Sequence, residues 1–159
     1  MCIGMSRLLR AGLVLAFGWS LAVAAPSVEL SGNWKLNVEK SKFGALPAPV
    51  SRTVEIIHRE PNLKVKVTED TGTETRSQTL EYTTDGKQCL NMVRGREFRS
   101  VVRWEEAVLV IETKGVYQGD DFRSTDRWSL SPDRKTITIE RHATNPYGET
   151  HQTLMLEKQ

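Results

Sequence analysis

Seven polar residues fall where strand alternation would place them among apolar neighbours: Gln78, Tyr82, Ser100, Ser124, Asp126, Arg141 and Gln152. An arginine in a low-dielectric enclosure holds a carboxylate through charge-assisted hydrogen bonds, bidentate when the two planes match. Phe98, Trp104, Phe122, Trp128 and Ile139 share those faces and would cover an acyl or ring-shaped body. The ligand-binding set expected from this pattern is Arg141, Ser124, Asp126, Gln152, Tyr82, Ser100, Phe98, Trp104, Phe122 and Trp128. A plainer reading stands beside it: Arg141 and Asp126 neutralise each other, and Ser124 and Gln152 complete their hydrogen bonds, because buried charges are normally paired. The two coexist if the pair lines a wet cavity.

Other chemistry finds little support. The histidines are His58, His142 and His151. His142 and His151 share a face opposite Ile139 and Leu154, and a cross-strand pair can bind a metal, but no HxH, HExxH or Cys/His spacing accompanies them, so no metal site is expected. His58 ends an apolar run and suits a capping or rim role. Cys89 reads as a small buried hydrophobe, with no activating histidine in recognisable relation to it. No GxSxG elbow, paired carboxylates or glycine-rich phosphate loop occurs. Neither an enzyme nor a cofactor is expected.

What must position the polar set is a stretch from Phe98 to His142 that states one unit twice. Phe98-Arg99-Ser100-Val101-Val102-Arg103-Trp104 returns as Phe122-Arg123-Ser124-Thr125-Asp126-Arg127-Trp128, each copy followed by a turn and an alternating apolar run. Strand geometry sets Phe98, Ser100, Val102 and Trp104 on one face and Arg99, Val101 and Arg103 on the other, with the second copy sorted alike. The arginine face carries Glu105, Glu106, Asp120 and Asp121 nearby and reads as solvated, so no nucleic-acid partner is expected.

The turns fix registers. Arg59-Glu60-Pro61-Asn62 sets His58 against Leu63 and Val54 against Val67. Asp85-Gly86 is a two-residue hairpin signal that sets Tyr82 against Cys89. Glu105-Glu106 sets Val102 against Leu109 and Ser100 against Ile111, and Ser131 to Arg134 sets Trp128 against Ile137 and Ser124 against Arg141. Asn145-Pro146-Tyr147-Gly148 sets Arg141 beside Gln152 and Ile139 beside Leu154. The Lys40 to Ser51 segment, with Gly44, Pro47 and Pro49, is a loop pinned across one end or a lid. The runs amount to about nine or ten strands without a helix, an all-β chain that closes as an antiparallel up-and-down β-barrel, with a two-sheet sandwich as the alternative.

Residues 1–24 read as a secretory signal peptide: Arg7 and Arg10, an apolar Ala11 to Leu21, then Ala22-Val23-Ala24. The apolar run is too short for a stable membrane anchor. Residues 25–159 are then a single domain, periplasmic or secreted, with Cys89 alone and no intramolecular disulfide. The formal net charge of +2, with both signs interspersed, calls for no polyanionic partner.

Gly32-Asn33-Trp34-Lys35-Leu36 resembles the opening strand of the calycin families, the lipocalins and the cytosolic fatty-acid-binding proteins. The resemblance implies that Trp34 plugs the closed end of the barrel under a covering arginine, Arg127 or Arg141, and that the domain is lipocalin-like, of a secreted bacterial type. The chain departs from lipocalins in lacking a C-terminal helix, and from fatty-acid-binding proteins in having a Pro/Gly loop in place of a helical lid. The expected function is binding of a small hydrophobic or amphipathic ligand in the barrel. The alternative is a structural or protein-interaction β module with a filled core. Oligomeric state is not readable.

Overall fold

The computed structural model describes residues 28–117, 119–145 and 148–159. The expected signal peptide lies outside the described residues. Ten strands follow one another: β1 Gly32–Leu36, β2 Ser51–Arg59, β3 Asn62–Asp70, β4 Thr75–Thr83, β5 Asp85–Val93, β6 Arg96–Glu105, β7 Val108–Tyr117, β8 Asp120–Leu130, β9 Thr136–Asn145 and β10 Gly148–Lys158. They form one antiparallel sheet in the order β4-β3-β2-β1-β10-β9-β8-β7-β6-β5. Sequence neighbours pair at every step except β4 to β5, and β1 meets β10 to bring the ends together, which is up-and-down barrel topology. The two-sheet alternative is thereby set aside.

Closure is incomplete at one seam. β4 and β5 end the hydrogen-bonded order instead of forming the Asp85-Gly86 hairpin ladder that the sequence predicts. Side chains bridge the strands there. The Asn91 amide accepts from the Glu81 N–H (2.8 Å) and donates to the Glu81 carbonyl (3.0 Å), as a facing peptide would. The Cys89 sulfur accepts from the Thr83 N–H at 3.1 Å, so Cys89 serves Thr83 and not Tyr82. The turn is held elsewhere, by the Thr84 N–H donating to the Pro61 carbonyl at 2.8 Å. A barrel edge that satisfies its backbone through side chains is left neither bare nor tightly laced.

The turns at Arg59↔Asn62 and Asn145↔Gly148 give the predicted registers, including Val54↔Val67, Arg141↔Gln152 and Ile139↔Leu154. Two others are each displaced by two residues. Glu106 adopts a left-handed φ of 55°, so the tight turn is Glu106-Ala107 and Val102 faces Ile111, with Ser100 facing Thr113. Arg134, at φ 60°, and the Ser131 N–H donating to the Thr136 carbonyl lengthen the next turn. Trp128 therefore faces Ile139 and Asp126 faces Arg141. A slip of two keeps every side chain on its predicted face.

The buried apolar residues gather toward one end: Leu30, Trp34, Leu36, Ile56, Leu63, Val102, Leu109, Ile137, Leu154 and Leu156 are nearly inaccessible to solvent. Trp34 is buried in this cluster, 1% exposed, and donates its indole N–H to the Leu30 carbonyl at 3.1 Å. Its cover is not an arginine. The Lys158 ammonium lies over the ring at 5.4 Å, in the register position facing Trp34, while Arg127 and Arg141 are engaged elsewhere.

The loop after β1 is pinned along β10. Lys42 and Thr153 exchange backbone hydrogen bonds at 2.7 and 2.9 Å. Gly44, at φ +64°, lies so close to the His151 carbonyl that a Cβ would stand 2.6 Å from its oxygen. Three of the outer arginines are paired: Arg103 with Glu105 and Glu112, Arg127 with Glu105, and Arg99 with Glu97.

Candidate functional site

Away from the plug, polar and aromatic side chains replace aliphatic ones and the barrel is hollow. One lobe of the cavity has a volume of about 420 Å3 and a second about 270 Å3. Gln78, Leu80, Tyr82, Ile111, Asp126 and Arg141 border both lobes, so the two meet at the Arg141–Asp126 pair. Volumes of this order suit small-molecule ligands.

Facing positions on β8 and β9 bring Arg141 and Asp126 together. Arg141 Nε donates to Asp126 Oδ1 at 2.8 Å and Nη2 to Oδ2 at 2.5 Å, a bidentate fork. Asp126 keeps only 8% of its side-chain surface accessible, whereas Arg141, which borders both lobes, keeps 34%. That surface faces the void. The Asp126 carboxylate raises the Arg141 pKa further, against the opposing effect of burial, so the guanidinium is permanently charged. Burial, reinforced by the Asp126 charge, pushes the Tyr82 phenol up, so it remains a neutral hydroxyl. That hydroxyl has no protein partner among the described residues.

The larger lobe runs outward along the β4 edge. Consecutive residues 76 to 80, from both faces of β4, border it together with Met92 of β5 and Arg94 in the turn that follows β5. It therefore reaches the seam where the ladder is missing. Arg52, Arg76, Arg94 and Arg141 stand in its lining against Glu69 and Asp126, an excess of positive charge. Arg52 is held by Glu69 and Arg76 by Glu74, while Arg94 has no acidic partner among the described residues.

In the smaller lobe, Phe98 and Phe122 meet edge to face with centroids 5.6 Å apart. Both face Gly115 across neighbouring strands, and a Cβ there would stand 2.5 Å from the Phe98 ring. Glycine alone admits the aromatic pair. Ser100 and Thr113 hydroxyls share a hydrogen bond of 2.8 Å, and Gln152 Nε2 donates to the Phe43 carbonyl at 3.5 Å, tying the loop to the wall.

Of the predicted site residues, Arg141, Asp126 and Tyr82 border both lobes, Ser124, Gln152, Ser100, Phe98 and Phe122 border the smaller, and Trp128 borders the larger. Trp104 borders neither, which corrects its assignment. It faces inward but at the plugged end, where its indole donates to Glu60 Oε1 at 2.6 Å and its ring lies 5.9 Å from buried His58. Burial raises the Glu60 pKa, but hydrogen bonds from Thr84, Trp104 and His58 more than offset it and hold the carboxyl below its usual value. His58 and Glu60 are 2.9 Å apart. Sequence reasoning missed Arg94, Leu80, Asn91 and Gly115. Only the glycine, opposite two aromatics, carried a readable signal.

The fold and the cavity together define a nearly closed ten-stranded up-and-down barrel with an internal, half-polar chamber. Similar solved structures include a zebrafish ileal bile acid-binding protein complexed with cholic acid, 13% identical, with TM-score 0.60 over 81% of this chain and 98% of that one. Human cRBP IV is 12% identical, with TM-score 0.57 over 84% and 100%. Fatty-acid-binding protein 1 of Echinococcus granulosus is also 12% identical, with TM-score 0.55 over 80% and 96%. The sequence matches no protein-family model and no curated protein.

Proposed function

We propose that this domain is a non-catalytic carrier that binds a small amphipathic anion inside the barrel. We further propose that residues 1–24 direct it to the periplasm or the exterior, where the mature chain works as a lipocalin-like binding protein. One observation carries the binding reading: an enclosed arginine, already forked to a carboxylate, still presents a third of its side-chain surface to a chamber walled by Phe, Trp, Ile, Leu and Val residues. Two of its five N–H groups serve Asp126, and the others have no acceptor among the described residues, leaving them for a ligand. The Tyr82 hydroxyl adds a neutral donor. The excess of arginine along the larger lobe favours an anionic head, and the apolar walls favour a hydrocarbon or fused-ring body. The bile-acid- and fatty-acid-binding proteins of similar fold bind ligands of that shape, which supports the reading by analogy.

Arg141→Ala is expected to weaken binding of a fluorescent long-chain carboxylate by about tenfold or more, and Arg99→Ala by less than about twofold, since Arg99 lies on the outer face paired with Glu97. Fluorescence titration measures both, with circular dichroism confirming the fold of each variant. Equal effects would remove the role given to Arg141.

A further inference from the structure

The outer surface of the β9–β10 hairpin carries a second constellation, independent of the cavity. His142 and His151 occupy directly facing positions. Their rings stack nearly parallel, at 13°, with centroids 4.3 Å apart. Glu149, two residues before His151 on the same face, brings its carboxylate oxygen to 3.4 Å from His142 Nε2. One donor atom from each of the three lies within 4.8 Å of the other two, and all three residues are exposed. The sequence already sets the two histidines on one face; Glu149, two residues from His151 on the same strand, is the member the structure adds.

We propose that His142, Glu149 and His151 form a binding site for a single borderline divalent transition ion of the Zn2+, Ni2+ or Cu2+ kind. Two imidazoles and one carboxylate are the donor set such ions favour over Mg2+ or Ca2+, which take oxygen ligands. An ion about 2.1 Å from each donor in a tetrahedral array requires donors roughly 3.4 Å apart. The observed separations reach this by rotation of exposed side chains, without movement of the ladder. Three protein ligands leave a fourth position open to solvent.

The surrounding charges are mixed. Glu140 precedes His142 on its face, Arg123 and Arg127 project from β8, and Lys42 runs beside Thr153 on the far side of β10. Arg127 is neutralised by Glu105. Because each histidine is adjacent in sequence to a cavity residue, Arg141 or Gln152, the ion would staple the hairpin directly behind the chamber wall.

The test is isothermal titration of the full mature chain, without an affinity tag, with Zn2+ alone and with Mg2+ alone. The expected result is saturable 1:1 binding of Zn2+ and none of Mg2+, weakened at least about tenfold in His142→Ala and in His151→Ala, since loss even of groups that only support ligands costs 10–100-fold. All three side chains are exposed, so the variants should fold as the parent does. Absence of saturable Zn2+ binding, or a smaller loss in either histidine variant, overturns the proposal.

Discussion

Trp34→Ala is expected to lower the unfolding free energy by about 3–5 kcal/mol, the cost of a large-to-small change in a packed core. The indole is only 1% exposed and sits among Leu30, Leu36, Ile56 and Leu156, which cannot all collapse into the space it would leave. The substitution also removes the hydrogen bond to the Leu30 carbonyl and uncovers the contact with Lys158. Chemical denaturation, with the same dependence on denaturant in both proteins, measures the difference. A loss within experimental error would mean that the plug does not hold the closed end together.

Asp126→Asn separates the two readings of the polar core. It takes the counter-charge from an enclosed guanidinium, and breaking a buried pair by removing one partner costs 3–5 kcal/mol in dry surroundings. Because a third of the Arg141 side chain faces the cavity, a loss of about 2–3 kcal/mol is expected. A ligand carboxylate would then take the place that the Asp126 carboxylate holds on that guanidinium. Affinity for a long-chain carboxylate should therefore rise by about tenfold or more, opposite in sign to the effect of Arg141→Ala. A structural module with a purely internal ion pair would show the stability loss with no change in binding.

The face of each residue was legible in the sequence because alternation is a property of the strand itself. Turn positions were less so. The two registers displaced by two residues depend on Glu106 and Arg134 adopting a left-handed backbone, which residues other than glycine seldom do and which no composition signal marks. The displacement had a consequence at the site. Sequence alone set Ser124 against Arg141, while the structure sets Asp126 there, turning two inward polar residues into a bidentate pair.

Alternation also assigns a side without assigning a height. Trp104 points inward as its parity requires, yet it lies with Glu60 and His58 at the plugged end and not in the chamber. The seam between β4 and β5 was illegible for a related reason. Asp85-Gly86 favours a hairpin locally, but Thr84 is drawn to Pro61 and Glu60, and the ladder gives way to bridges from Asn91 and Cys89. Tertiary contacts settled what local turn chemistry left open.

Native mass spectrometry of the protein purified from its own source tests the central claim most directly. The account requires a mature chain beginning near Ala25 that carries one additional lipid-sized mass, released on denaturation and absent or much reduced in Arg141→Ala. A mature chain that flies bare, and that takes up no long-chain carboxylate when one is supplied in excess, would contradict it.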